Sequence, residues 1–174
     1  MNKADDRRAA ILERLTDHVL AEGLAGASLR PLAKAAGTSD RMLIYYFKDK
    51  SALVAAILQR VGERLALLLQ NRMASEPMPF EALRAALLEI ILDDALWPYM
   101  RVWLEVASMA AGGDPVCRAV GEQLARGFLA WGEAQLDSAS PEARNAEAAA
   151  LLLTIDGAIF LKSVGVDDIP RRLL

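Results

Sequence analysis

The sequence has one cysteine, one histidine and few aromatic residues, and these shortages exclude several classes of function. A single cysteine, Cys117, excludes an intramolecular disulfide and a cysteine-based metal cluster. A single histidine, His18, excludes a histidine-rich metal site. The sequence also shows no Ser-His-Asp set, no metal-ligand spacing and no glycine-rich phosphate loop. We therefore expect no cofactor, no metal and no enzymatic activity.

Signals for strands and for membrane segments are also missing. Val, Ile and Thr are sparse beside Ala and Leu, a composition that favours helix throughout. The most apolar stretch, residues 148–161, is interrupted by Asp156, so no membrane span is predicted. The opening residues, NKADDRRAA, do not resemble a signal peptide. The sequence therefore predicts an all-α, cytoplasmic protein.

The charges of this 174-residue chain are unevenly distributed. The formal net charge is −3, which by itself argues against nucleic-acid binding. Residues 1–50, however, hold nine basic and seven acidic side chains, whereas the remainder holds 11 basic and 16 acidic ones. A DNA-binding end on an acidic body has this sign of asymmetry. The hydrophobic fraction of 54% predicts either a large core or apolar surface covered by a partner.

Helical periodicity and stop signals predict eight helices and a short ninth. The first runs from Asp5 or Asp6 to about Ala21, and the second and third lie within residues 28–50. The predicted ranges of the others are about 51–73, 80–96, 98–111, 115–136, 141–164 and 167–174. The fourth helix is long enough to connect an N-terminal domain to the body of the protein.

The segment SLRPLAKAAGTSDRMLIYYFKDK, residues 28–50, predicts two short helices joined by a tight turn. We expect the Ser28 hydroxyl to cap the first helix and Gly37 to end it in a left-handed conformation. Thr38 and Ser39 then stand where they can cap the second helix. A small residue, a glycine four positions later and an aliphatic residue six after that have the spacing of a DNA-binding helix-turn-helix.

A structural corner alone would satisfy that spacing, but the residues that follow it favour DNA. The run YYFKDK puts aromatic rings beside lysines, which suits phosphate contact and groove packing. The planar fork of Arg41 matches the O6 and N7 acceptors of guanine, so Arg41 is the best candidate for a base contact. We expect the DNA-binding residues to be Ser28, Thr38, Ser39, Arg41, Tyr45, Tyr46, Lys48 and Lys50.

The stretch AAGTSDRMLIYYFKDKSAL resembles the recognition region of TetR-type transcriptional regulators, which read AAGVS-x-x-x-LY-x-(H/Y)F-x-x-K-x-x-L. The matching positions are Ala35, Ala36, Gly37, Ser39, Leu43, Tyr46, Phe47, Lys50 and Leu53. The chain departs from this pattern at Asp40, Arg41, Met42 and Ile44, so the base sequence that it reads stays open. The resemblance implies a three-helix DNA-binding domain, residues 1–50. A long fourth helix then leads into a helical bundle for ligand binding and dimerisation, residues 51–174.

The resemblance also implies a homodimer on a palindromic operator in double-stranded DNA, and a small apolar or aromatic effector that releases a repressor from it. The eighth helix is apolar on all sides between Ala148 and Ile155, which predicts cover by a second subunit. The expected interface residues are Phe128, Ala149, Leu152, Leu153 and Phe160. The residues expected around the effector are Trp97, Met100, Trp103, Met109, Phe128, Trp131 and Asp156, although each ring would also serve ordinary core packing.

Two alternatives stay open at this point. The chain could be an all-helical enzyme or small-molecule-binding protein in which the corner is only structural. It could also be a DNA-binding dimer that responds to no ligand. Activation and repression are not distinguished by the residues. Outside the motif, the spacing of Arg101 and Glu105 predicts an ion pair on the surface of the sixth helix.

Overall fold

The computed structural model describes residues 3–24, 27–73 and 76–174, and the regular structure of these residues is helical. The helices are α1 (Lys3–Glu22), α2 (Leu29–Ala36), α3 (Asp40–Phe47), α4 (Lys50–Arg72), α5 (Phe80–Ile91), α6 (Trp97–Ala111), α7 (Pro115–Gln135), α8 (Pro141–Ser163) and α9 (Asp168–Arg171). The predicted all-α class is thus confirmed. Among the described residues, no helix combines the length and the apolar character needed to cross a bilayer.

The fifth helix is shorter than the sequence predicts. A helix over residues 80–96 was expected, but α5 ends at Ile91, and a single 3₁₀ turn, Asp94–Leu96, precedes α6. The break occurs at Asp93, whose backbone is extended and whose carboxylate accepts a hydrogen bond of 2.9 Å from the N–H of Ala95. Aspartate competes with a helix in this way, because its short side chain hydrogen-bonds nearby backbone groups. The helical periodicity alone did not reveal this break.

One compact unit contains residues Met1–Ala66 and Arg101–Gly121. Its core is formed by apolar side chains of α1 to α4, together with Val102 and Val106 of α6 and Cys117 and Val120 of α7. Leu15 of α1, Leu32 of α2 and Leu43 of α3 are fully buried and hold the helix-turn-helix against α1. The first turns of α4 add Leu53 and Ile57 to the same core.

A second compact unit contains residues Leu67–Met100 and Glu122–Leu174. Its core includes the fully buried residues Leu83, Leu87, Leu88, Leu96, Leu136 and Leu151. Met78 and Leu136 form an isolated parallel bridge, in which the Met78 N–H donates to Gln135 at 2.9 Å. The chain therefore crosses between the two units within α4, within α6 and at α7. The functional boundary between residues 50 and 51 stays a prediction.

Candidate functional site

The turn between α2 and α3 has the geometry that the sequence predicts. Gly37 is left-handed, with φ 65° and ψ 40°. Its N–H donates to Lys34 at 3.1 Å, and the Thr38 N–H donates to Ala33 at 2.9 Å, which is the Schellman pattern of helix termination. A Cβ at this position would also lie 3.3 Å from an Nη atom of Arg14. Glycine thus satisfies both the backbone conformation and the available space.

The two serine caps differ, and one of the predicted hydrogen bonds is absent. Ser39 caps α3, because its hydroxyl accepts a hydrogen bond of 3.3 Å from the N–H of Met42. Ser28 occupies the same position before α2, but its side chain makes no capping hydrogen bond, so that prediction is wrong. Pro31 stands at the third helical position and has no N–H to donate, so it removes one of the two usual partners of a capping hydroxyl. The exposed Ser28 hydroxyl stays a predicted DNA contact.

The recognition helix α3 has an inner and an outer face. Leu43 and Phe47 are buried, whereas Arg41 and Tyr45 are exposed, the latter with 74% of its surface accessible. The rings of Tyr45 and Tyr46 meet edge to face with centroids 5.3 Å apart. Of the eight residues predicted to bind DNA, six are exposed, and Thr38 and Tyr46 are half-buried. All eight lie on the helix-turn-helix or directly beside it.

Lys48 ends α3 in a left-handed γ-turn that the sequence did not predict. Its φ is 75° and its ψ is −53°, and the Asp49 N–H donates to the Phe47 carbonyl at 2.9 Å. Asp49 then caps α4, because its carboxylate accepts a hydrogen bond of 2.7 Å from the N–H of Ala52. Lys48 is the central residue of this turn, Lys50 directly follows the turn, and both are exposed. Strained backbone of this kind is concentrated at functional sites.

Two arginines of α1 hold the helix-turn-helix in place, and the sequence analysis missed both. The Nε atom of Arg8 donates to the Tyr46 carbonyl at 3.2 Å, and its guanidinium lies 4.8 Å from the centre of the Phe47 ring. Arg14 donates to the Ala36 carbonyl at 3.2 Å. Each cation therefore lies at the negative C-terminal end of a helix, where a positive charge is stabilising. No local pattern reveals such contacts, because 22 and 38 positions separate the partners in sequence.

Ion pairs connect α1 to α4. The Glu13 carboxylate accepts hydrogen bonds from Arg60, at 2.5 Å, and from Arg64, which also bonds Asp17 at 2.6 Å. The hydrogen bond from Arg64 is the largest cause that holds the pKa of Glu13 below its ordinary value; partial burial opposes it and Arg60 adds to it. The pairs fix the long α4 helix against the first helix of the DNA-binding end.

The residues predicted to surround an effector divide between the two compact units. In the second unit, the rings of Phe128 and Trp131 lie 5.5 Å apart, and Met100 is buried. Trp97 lies under the ammonium of Lys162, which donates to the Leu92 carbonyl at 2.7 Å. Asp156 is half-buried on α8.

In the first unit, Trp103 is half-buried, whereas Met109 is partly exposed and its sulfur lies 3.9 Å from that of Cys117. Burial raises the pKa of the Cys117 thiol to about 11, and the neighbouring Asp114 adds to this, so the thiol stays protonated at neutral pH.

An open apolar depression of about 340 Å³ also lies in this unit, lined by Ser51, Ala52, Ala55, Pro115, Val116, Ala119 and Val120. None of these seven is a predicted effector contact, so the effector site stays a prediction.

Helix α8 has one buried face and one exposed apolar face. Ala148, Leu151 and Ile155 point into the second unit, whereas Leu153 and Phe160 are 74% and 58% exposed. We call the exposed positions that follow helical spacing the outer stripe: Ala149, Leu153, Gly157, Phe160 and Val164. Two further predicted interface residues, Phe128 and Leu152, are half-buried. The predicted dimer residues therefore include three members of the outer stripe.

Comparison with known sequences agrees with this arrangement. Residues 16–57, which include the helix-turn-helix, match the sequence profile described as "Bacterial regulatory proteins, tetR family". The HTH-type transcriptional regulator BetI of Burkholderia thailandensis is 30% identical over 154 residues, which cover 87% of this chain and 78% of the relative. These relatives are named as transcriptional regulators, so the alternative of an all-helical enzyme or binding protein without DNA binding is not favoured.

Solved structures show the same fold over nearly the whole chain. A TetR-family regulator from Cytophaga hutchinsonii has a TM-score of 0.79 at 14% identity and covers 99% of this chain and 92% of its own. A structure described as multidrug binding protein EbrR complexed with imidazole has a TM-score of 0.71 at 23% identity, with 100% and 94% covered. An N-terminal helix-turn-helix followed by a helical bundle, as predicted, is thus confirmed.

Proposed function

Since the chain belongs to the TetR family of DNA-binding transcriptional regulators, we propose that it is a homodimeric repressor. It binds a palindromic operator, and a small apolar or aromatic effector releases it. Regulators of this family bind DNA, act as dimers and respond to small-molecule effectors. A cytoplasmic location is part of the same proposal.

The observation that carries the proposal is the outer stripe of α8. A second copy of the chain is the occupant that suits it, because a two-fold axis places identical apolar stripes against each other. Ala149 and Gly157 are small enough for two helices to approach closely there, and an added Cβ at Gly157 would meet nothing within 4 Å. A dimer also supplies a second recognition helix, and two such helices read half-sites about one DNA turn apart.

Within the helix-turn-helix of each subunit, which we call a DNA-binding head, the residues have different roles. Thr38 and Ser39 bind phosphate near the N-terminus of α3, where backbone N–H groups favour an anion. Arg41 reads a base from the exposed face of α3, and Tyr45 and Tyr46 reach phosphate or the methyl groups of thymine. Ser28, Lys48 and Lys50 bind the phosphate backbone. Lys48 is the central residue of the γ-turn, and Lys50 directly follows the turn. The negative charge of Asp40 disfavours close approach of the DNA phosphate backbone to this face.

The effector binds among the aromatic and methionine side chains of the regulatory part. Trp97, Met100, Phe128, Trp131 and Asp156 are its contacts in the second compact unit. Trp103 and Met109, in the first unit, belong to the same predicted set. Support for an aromatic ligand comes from EbrR, which is described as a multidrug binding protein and is complexed with imidazole. Binding releases DNA only if the effector has a higher affinity for the arrangement of heads that does not fit the operator.

The test is selection of bound DNA from a random pool, repeated in the presence of a panel of apolar aromatic compounds. We expect a two-fold symmetric site that at least one compound releases. A symmetric site that no compound releases would instead support the ligand-independent dimer. Recovery of an asymmetric half-site alone would contradict the proposed dimer, while leaving the role of α3 in DNA binding intact.

A further inference from the structure

The C-terminal end of α1 is capped by side chains of α6, which lies about 80 positions away in the sequence. The last turn of α1 contains no basic residue. Arg101 supplies the missing charge: one of its Nη atoms donates to the carbonyl oxygens of Leu20 and Ala21, both at 2.8 Å. These carbonyls are among those that a helix end leaves unpaired, so Arg101 satisfies them and also faces the negative end of the helix dipole.

Glu105, one turn further along α6, binds the segment that directly follows α1. Its carboxylate accepts a hydrogen bond from the N–H of Leu24. Gly23, between these contacts, is left-handed with φ 84°, and a Cβ there would lie 2.5 Å from a carboxylate oxygen of Glu105. Glycine therefore suits the backbone conformation at position 23, and a side chain there would displace the Glu105 carboxylate from its present place.

The two α6 side chains bind the end of α1 and the residue just beyond it, and are barely in contact with each other. The predicted surface ion pair between Arg101 and Glu105 is present only at 4.0 Å, at the limit of contact. Both side chains are partly buried, with 38% and 28% of their surface exposed. The residue that Glu105 binds, Leu24, is itself buried, and its carbonyl accepts a hydrogen bond from the N–H of Ala27, two residues before α2. The contact therefore lies where the chain leaves α1 for the helix-turn-helix.

We propose that Arg101 and Glu105 are positioning residues for DNA recognition, which fix the helix-turn-helix relative to α6 through the end of α1. A hydrogen bond that involves an ionised side chain is stronger than a neutral one, so the three at this junction make it stiff. The consequence for binding rests on the proposed two-headed dimer. Non-specific binding of DNA phosphates by one head depends on the charges of that head. Binding of both half-sites of an operator also requires both heads in fixed positions.

The experiment compares Glu105→Ala and Arg101→Ala with Glu105→Gln and Arg118→Ala. The amide oxygen of Gln keeps an acceptor for the Leu24 N–H, and Arg118→Ala removes one exposed positive charge from α7. We expect both test variants to lose about tenfold in affinity for the selected symmetric operator, with binding to random-sequence DNA unchanged. The Gln variant and the α7 variant should retain operator affinity within about twofold of the unaltered protein.

Hydrogen exchange of the free chain gives a second measurement that needs no operator. Amides of residues 18–24 should exchange about tenfold faster in Glu105→Ala, while those of α3 stay protected. Unaltered exchange at residues 18–24 would overturn the proposal. Equal losses for operator and random DNA, or failure of Glu105→Gln to restore affinity, would also overturn it. If the unaltered chain selects no symmetric site, the proposed dimer fails, and exchange alone decides the role of Glu105.

Discussion

At the scale of single residues, Lys48 holds a backbone conformation that costs a side-chain-bearing residue about 1 kcal/mol or more. Lys48→Gly removes the ammonium and the steric cost, whereas Lys48→Ala removes the ammonium alone. We expect the free energy of unfolding of the Gly variant to exceed that of the Ala variant by about 1 kcal/mol. Urea titration of both variants measures this difference.

The same pair of variants separates backbone strain from phosphate contact. Both lack the Lys48 charge, so both should lose DNA affinity equally, whichever base sequence is used. Equal stability of the two variants would show that the chain relaxes out of the γ-turn without cost. A Gly variant that binds DNA as tightly as the unaltered chain would remove Lys48 from the set of phosphate contacts.

Arg41 and Lys50 are expected to contribute to DNA binding in different ways. Arg41→Ala should weaken operator binding by about 1–3 kcal/mol and relax the preference at one base pair, because a base-edge contact is lost. Lys50→Ala should weaken binding to all sequences alike and reduce the salt dependence by about one unit of slope. Selection and salt titration with each variant measure both effects. An unaltered sequence preference in Arg41→Ala would contradict the base contact.

At the scale of helices, the two serine caps form a matched pair. Ser39 bonds the Met42 N–H, whereas Ser28 makes no capping hydrogen bond. Ser39→Ala should therefore lower the free energy of unfolding by about 1 kcal/mol, and Ser28→Ala by only a few tenths, roughly 0.3 kcal/mol or less. Chemical denaturation of both variants checks this. Equal losses would mean that capping by the hydroxyl does not account for the stability of α3.

The ion pairs between α1 and α4 predict an acid-dependent term in stability. The pKa of Glu13 is lowered in the folded chain, chiefly by the hydrogen bond from Arg64. The stability that the ionised Glu13 contributes to the folded chain is therefore complete above the pKa of a glutamate in the unfolded chain. It is lost as the pH falls through the lower pKa that Glu13 has in the folded chain. Because the side chain is 40% exposed, we expect a term of about 1 kcal/mol or less.

Glu13→Gln should accordingly lose stability at neutral pH but little in acid, so the two proteins converge as the pH falls. Thermal unfolding from neutral pH to pH about 3 measures this convergence. Glu63→Gln is the control, because Glu63 pairs only with Arg60 among the residues that the structure describes and is more exposed. A stability gap between Glu13→Gln and the unaltered chain that persists at the lowest pH would show that packing, and not charge, accounts for the loss.

The helices differ in how far the sequence could predict them. The turn at Gly37 and the cap at Ser39 depend on residues a few positions apart, so local patterns revealed them. The end of α5 at Ile91 was missed because the apolar periodicity continues past it, while Asp93 bonds its own backbone. The contacts of Arg8, Arg14 and Arg101 join helices distant in sequence, and only the folded chain brings them together.

At the scale of the whole molecule, two features favour a symmetric pair of chains. The first 50 residues are net basic and the remainder is net acidic, so DNA is attracted to one end of each chain. The outer stripe of α8 leaves three large apolar side chains, those of Leu153, Phe160 and Val164, with more than half of their surface exposed. Burial of such side chains against a second copy is favourable by about 25 cal/mol for each Å² removed from water.

Leu153→Asp therefore tests the dimer directly. Leu153 is 74% exposed, so the substitution should leave the fold of one chain intact, but in a two-fold interface it places two carboxylates within the apolar contact. We expect monomers in sedimentation velocity and a loss of at least about tenfold in operator affinity. Leu67→Asp, at a 57% exposed leucine of α4, is the matched control and should stay dimeric.

Dissociation of both variants alike, or of neither, would place the interface elsewhere than on α8. If Leu153→Asp alone dissociates and still protects both half-sites, the operator does not require the two heads to be joined.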